Sequence, residues 1–105
     1  MTKYVLTYHG GEGMPEDPAE QEKQMAAWGA WFASLGESVV DGGNPISRSV
    51  TVGPDRSVSD GGVAPNLGGY SLIDAVDMEA AVAAAKGSPA LDNGGSVQVS
   101  EAIDM

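Results

Sequence analysis

The chain has no cysteine, and that absence closes several chemistries at once. Disulfides, thiolate nucleophiles and Cys-based zinc or iron–sulfur centres are excluded. Histidine is nearly absent as well: His9 is the single one, so no transition-metal site is expected. A carboxylate-only calcium site lacks the required loop spacing. Basic residues are scarce, five Lys+Arg against fifteen Asp+Glu, which gives a formal net charge of -10. That field repels a phosphate backbone or an anionic membrane surface, so neither nucleic acid nor membrane is an expected partner. No window approaches the ~20 apolar residues of a membrane span. The opening MTKYVLTYHGG has no signal-peptide-like apolar run, and a soluble cytoplasmic protein is the default expectation. No phosphate-loop pattern, dinucleotide fingerprint or GxSxG elbow is present, so no cofactor is expected either.

What remains is a chain of 105 residues, 42% hydrophobic, with 15 glycines. That length suits one compact domain over residues 1–105. Most glycines fall in pairs that punctuate periodic segments. Residues 3–9, KYVLTYH, are aromatic and β-branched and read as a first strand; residues 10–16 read as a loop. Asp17-Pro18-Ala19-Glu20 is a helix start, with Asp17 as cap, Pro18 in the first turn and Glu20 where a capping-box acid belongs. Met25, Trp28, Phe32 and Leu35 share one helical face, and Gly36 suits the stop. Residues 37–41 form a short strand. Residues 46–52 and 56–59 alternate around the Gly53-Pro54-Asp55 turn as a hairpin. Residues 67–76 form the next strand. Asp77 caps a second helix whose buried face is Met78, Ala81, Val82 and Ala85, with Gly87 as its stop. Residues 88–93 form a loop, and residues 96–100 alternate as a final strand.

The order β-α-β-(hairpin)-β-α-β favours an α+β, ferredoxin-like sheet with both helices on one face. In the last strand Val97 and Val99 face the helices, while Ser96, Gln98 and Ser100 face away. A polar, uncovered second face suits a wet cleft or a sheet shared with a second copy, so a homodimer is expected.

Residues 53–70, GPDRSVSDGGVAPNLGGY, carry a resemblance. With the opening KYVLTYH, the aromatic helix, Asp41-Gly42-Gly43, Ser71-Leu72-Ile73-Asp74, Ser88-Pro89 and the closing Gly94-Gly95-Ser96-Val97-Gln98-Val99, the chain resembles the YCII-related proteins, in the branch named for its Asp-Gly-Pro-Phe motif. The resemblance implies a dimeric α+β barrel, and an acid–base role has been proposed for some members. This chain departs from the pattern. Asp60-Gly61 matches, but Gly62 and Val63 replace the Pro and Phe, and Ala64-Pro65-Asn66 stands where an acidic residue and a Lys-Glu pair are usual. The first helix has no histidine, so the His–Asp dyad proposed for some members does not carry over.

Candidate site residues follow from position. His9 ends the first strand beside Gly10-Gly11, and its intrinsic pKa suits general acid–base work; the plainer alternative is a structural surface histidine. Asp41, Asp60 and Asp74 sit at or near strand ends and could orient a histidine or act as a pair. Asp41 and Asp60, each before a glycine, equally suit Asx-type turns. Asp74 lies within a strand and equally suits a solvated edge. Trp31 lies off the Trp28/Phe32 face and could line a pocket or a dimer contact. Tyr70, beside two glycines, is the tyrosine expected nearest a cleft. The expectation is a small organic molecule held in a cleft between the sheet and a partner subunit. If there is catalysis, it would be a cofactor-free lyase, isomerase or dehalogenase step with His9 as base and Asp74 assisting. The alternative is a non-catalytic binding or accessory module.

Overall fold

A computed structural model describes residues 1–11, 15–64 and 66–105. Glu12, Gly13 and Met14 of the expected 10–16 loop, and Pro65, lie outside the described residues. The elements are β1 (Thr2–Gly10), α1 (Pro18–Leu35), β2 (Val39–Asp41), β3 (Val50–Val52), β4 (Val58–Asp60), β5 (Leu67–Ala75), α2 (Met78–Ala85), α3 (Pro89–Asp92) and β6 (Gly95–Glu101). This is a mixed α+β chain with two antiparallel sheets.

The larger sheet runs β2-β5-β1-β6, and every neighbouring pair is antiparallel. Its centre is β1, flanked by β5 and β6. Residues on β1 alternate between faces. Tyr4 and Leu6 are buried, and their cross-strand partners Ile73 and Ser71 share that face and are buried too. Trp31 of α1 and Ala81 and Ala85 of α2 complete the core on that side, with Val97 and Val99 of β6 packed against it. The other face carries Val5, Thr7 and His9 with Tyr70, Leu72, Asp74 and the polar residues of β6. None of these side chains is fully buried.

Local chemistry explains the helix ends. The Asp17 side chain accepts a hydrogen bond from the Ala19 amide at 3.1 Å, and Pro18 occupies the first turn. Gly36 ends α1 at φ +57°, a left-handed region that favours glycine, and its amide returns to the Phe32 carbonyl. Asp77 and Ser88 cap α2 and α3 in the same way, accepting from Ala80 and Ala90.

Of the expected α1 face, Trp28, Phe32 and Leu35 pack against the core, half-buried, and Met25 does not. Trp31 is the buried residue of α1, while Met25 is 66% exposed. The cause is α2, whose small alanines leave room for a large ring. The Trp31 indole fills that space and donates Nε1–H to the Ala84 carbonyl at 3.0 Å. A Cβ at Gly87 would stand 3.3 Å from the same ring. In α2, Ala81 and Ala85 are buried as expected, but Met78 and Val82 are exposed. The 88–93 segment holds the short helix α3 rather than a simple loop.

The expected hairpin is present as a separate two-stranded arm, with Val50 opposite Asp60 and Val52 opposite Val58. Its turn is closed by the Gly53 amide on the Ser57 carbonyl at 2.8 Å, and the Asp55 carboxylate accepts from the Ser57 amide and hydroxyl. Those hydrogen bonds hold the Asp55 carboxyl below its ordinary range. The radius of gyration, 15.0 Å, exceeds the ~13 Å usual at this size, consistent with a thin sheet carrying a projecting arm.

Candidate functional site

Where β1 ends and β5 begins, the backbone is irregular. The register slips between Tyr8 and His9, so Gly69 faces Tyr8 while Leu67 faces His9. The chain leaving β2 then runs alongside this point. Pro45 bridges to Gly69, the Tyr70 amide donates to the Asn44 carbonyl at 3.3 Å, and the Ile46 amide donates to the Gly68 carbonyl at 2.9 Å. Gly43 permits this approach. It sits at φ +76°, and a Cβ there would stand 1.7 Å from the Tyr70 carbonyl oxygen, a separation no side chain can take.

The stretch of α1 from Gln24 to Phe32 covers this region from the core side of the sheet. Between them lies a cleft of about 470 Å³, within the roughly 300–1,000 Å³ range of small-ligand pockets. One wall is Met25, Trp28 and Phe32 of α1; the other is Gly42, Gly43, Gly68 and Gly69 with neighbouring backbone. The aromatic wall is braced internally. Trp28 stands edge-on to Tyr8, with centroids 4.9 Å apart at 80°, and tilts over Phe32 at 5.9 Å and 36°.

Tyr8 at the floor is a fixed structural group. Its hydroxyl donates to Ser71 Oγ at 2.7 Å, and Ser71 donates onward to the Gly42 carbonyl at 2.7 Å. Burial raises the Tyr8 phenol above its ordinary value, with the Ser71 contact pulling weakly the other way, so the group is a neutral phenol near pH 7. This chain ties β1 to β5 and to the segment after β2, and so sets the width of the cleft.

The expected site residues divide. His9 and Tyr70 both border the cleft. The His9 ring has Nε2 2.8 Å from Thr7 Oγ1, two residues back on the strand face opposite Tyr8. The imidazole is therefore directed along the open face of the sheet, and His9 contributes to the rim. Tyr70 receives a long contact, 3.5 Å, from Asn44 Nδ2. The three aspartates do not line this cleft. Asp41 accepts from the Gly43 amide at 2.8 Å, an Asx-type turn that shapes the wall from behind. Asp60 lies in the arm, paired with Val50, and Asp74 lies opposite Lys3, far down β5. Trp31 is a core residue, placed there by its fit to α2, and it does not line the cleft.

Position in sequence missed Trp28, Phe32 and Met25 as cleft residues, because their helical spacing reads equally as core. It also missed Gly42 and Gly43 as a wall, although the pair was visible, whereas Gly68 and Gly69, beside which Tyr70 marks the expected cleft, do line it. Among the described residues no group of acidic, histidine or cysteine side chains could hold a metal ion, and no helix is long and apolar enough to cross a membrane. No family model, curated protein or solved structure matches the chain.

Proposed function

We propose that this chain is a binding module that holds a small organic molecule in the cleft between α1 and the β1/β5 end. The observation that carries the proposal is the cleft itself: a pocket of about 470 Å³ within one chain, walled by aromatic side chains and closely apposed glycines. We read the architecture as ferredoxin-like and YCII-related. The strand order and the gathering of Trp31, Ala81 and Ala85 on one sheet face support that reading. A homodimeric barrel follows from the same reading. Its support is the sheet face without fully buried side chains, together with the exposed Val50, Val52 and Val58 of the arm. The cytoplasm is the setting we assign, where a chain without cysteine forgoes no disulfide.

The geometry favours binding over catalysis. None of the aspartates that would have oriented a base lines the cleft, and the His9 ring engages Thr7 on the opposite face. Acid–base chemistry with His9 as base is the second reading, carried by its place on the rim. The test is a screen of small organic fragments by amide NMR of the labelled protein. Shifts are expected at Gly10, Gly42 and Gly69, and none at Gly53 and Gly61 of the arm. A screen in which no fragment moves the cleft amides would overturn the binding reading. For any compound that is turned over, loss of turnover in His9→Ala with binding kept would establish the second.

A further inference from the structure

Asp, Glu, Lys and Arg make up 19% of the chain, yet none of the described residues that line the cleft is one of them. The shape of the cleft is as particular as its charge. One wall is a braced aromatic surface and the other is largely side-chain-free, because Gly42, Gly43, Gly68 and Gly69 contribute only backbone there. We infer that the ligand is an uncharged, planar aromatic molecule of about two rings, carrying a hydrogen-bonding group at one edge. This inference rests on the reading of the cleft as a binding site.

An ion entering this site would shed hydration with no Asp, Glu, Lys or Arg among the described lining residues to replace it, which is costly. For an anion the net charge of -10 adds long-range repulsion. A flat ring system, by contrast, extends the edge-on and tilted array of Tyr8, Trp28 and Phe32 and meets backbone on its other side without steric hindrance. The floor hydroxyls of Tyr8 and Ser71 are already engaged with each other and with the Gly42 carbonyl. Asn44 and Tyr70 hold one another only at 3.5 Å, so a ligand hydroxyl or carbonyl could replace that long contact with two shorter ones. Gln24 and Asn93 bring further amides to the same cleft. Met25, 66% exposed at the mouth, is a flexible, polarizable side chain that can close over an aromatic edge.

The test is titration calorimetry of the full chain near neutral pH with four probes of matched size: 2-naphthol, 2-naphthoate, 2-naphthyl-trimethylammonium and the saturated alcohol 2-decalol. The naphthol is expected to bind at least about tenfold more tightly than each of the other three. Trp28→Leu is expected to reduce naphthol affinity by about tenfold or more. Because a change at Trp28 could disturb folding, Met25→Glu at the exposed mouth provides the second variant. It is expected to fold normally and to weaken naphthol binding by about threefold or more through loss of the thioether contact. Naphthoate, the ammonium or decalol binding as tightly as naphthol would overturn the ligand class while leaving the cleft as a site. So would failure of all four probes when other fragments still shift the cleft amides. Failure of all four together with a silent fragment screen would overturn the cleft reading itself. Naphthol binding unaffected by both variants would place the molecule elsewhere and overturn the inference.

Discussion

At the residue scale, two glycines separate steric necessity from conformational habit. Gly43 is required: its φ is +76°, and an added Cβ would meet the Tyr70 carbonyl oxygen at 1.7 Å. Gly29 sits in the middle of α1 with nothing within 4 Å of an added Cβ. Gly43→Ala is expected to destabilise by more than about 3 kcal/mol, and Gly29→Ala to stabilise by about 0.5–1 kcal/mol. Urea unfolding of the two variants checks both signs. The sequence showed the Gly42-Gly43 pair as a turn, but the second strand that makes Gly43 indispensable lies 27 positions away and could not be read locally. Tyr8 and Tyr4 add a pH dependence. Burial raises both phenols above the ordinary value of 10.0, and the Glu101 carboxylate raises Tyr4 further. The stability held by the neutral phenols is whole below pH 10 and is lost as the pH rises through their higher folded-state values. The melting temperature should therefore fall above pH 10, with a shallower fall in Tyr8→Phe. An equally steep fall in that variant would remove Tyr8 as a cause.

At the element scale, the ends of α1 were legible and its facing was so in part: Trp28, Phe32 and Leu35 pack against the core as expected, while Met25 and Trp31 exchange roles. Asp17, Pro18 and Gly36 carry their signals locally, in a side-chain acceptor, a fixed φ and a left-handed stop. Asp17→Ala should cost ~1 kcal/mol, measured by chemical unfolding; a neutral result would mean that water caps the helix equally well. The face of a helix depends on what packs against it. A periodic reading centred the stripe between Met25 and Leu35, but the alanines of α2 drew Trp31 inward and left Met25 outside. Trp31→Ala is expected to cost about 3–5 kcal/mol, the range for a large aromatic removed from a core. A loss under about 1 kcal/mol would show that the ring is not held as described. The strands followed alternation well, as Val97 and Val99 illustrate. The separation of the hairpin from the main sheet had no local signal.

At the scale of the whole molecule, two surfaces distinguish the protein: a sheet face with no fully buried side chain, and an arm exposing Val50, Val52 and Val58. An isolated two-stranded hairpin is marginal in water, and the arm, residues 50–60, has one arginine against two aspartates, a net charge of -1 on a chain of net charge -10. It is therefore the segment a second copy meets with least repulsion. Light scattering is expected to give a mass of twice 10.7 kDa, falling to the single-chain mass in Val52→Asp/Val58→Asp; a wild-type monomer at micromolar concentration would contradict the dimer. Acidity was legible in composition alone, but the absence of Asp, Glu, Lys and Arg among the described residues lining the cleft was not, because no local pattern of Trp28, Gly42 and Gly69 reveals that they meet. That meeting is tested most directly by a crystal structure of the protein soaked with 2-naphthol. Ligand density between Trp28 and the Gly42–Gly43 wall, with its hydroxyl at Asn44 or Tyr70, is the predicted result; an empty cleft with the ligand on the open sheet face beside Thr7 and Leu72 would contradict it.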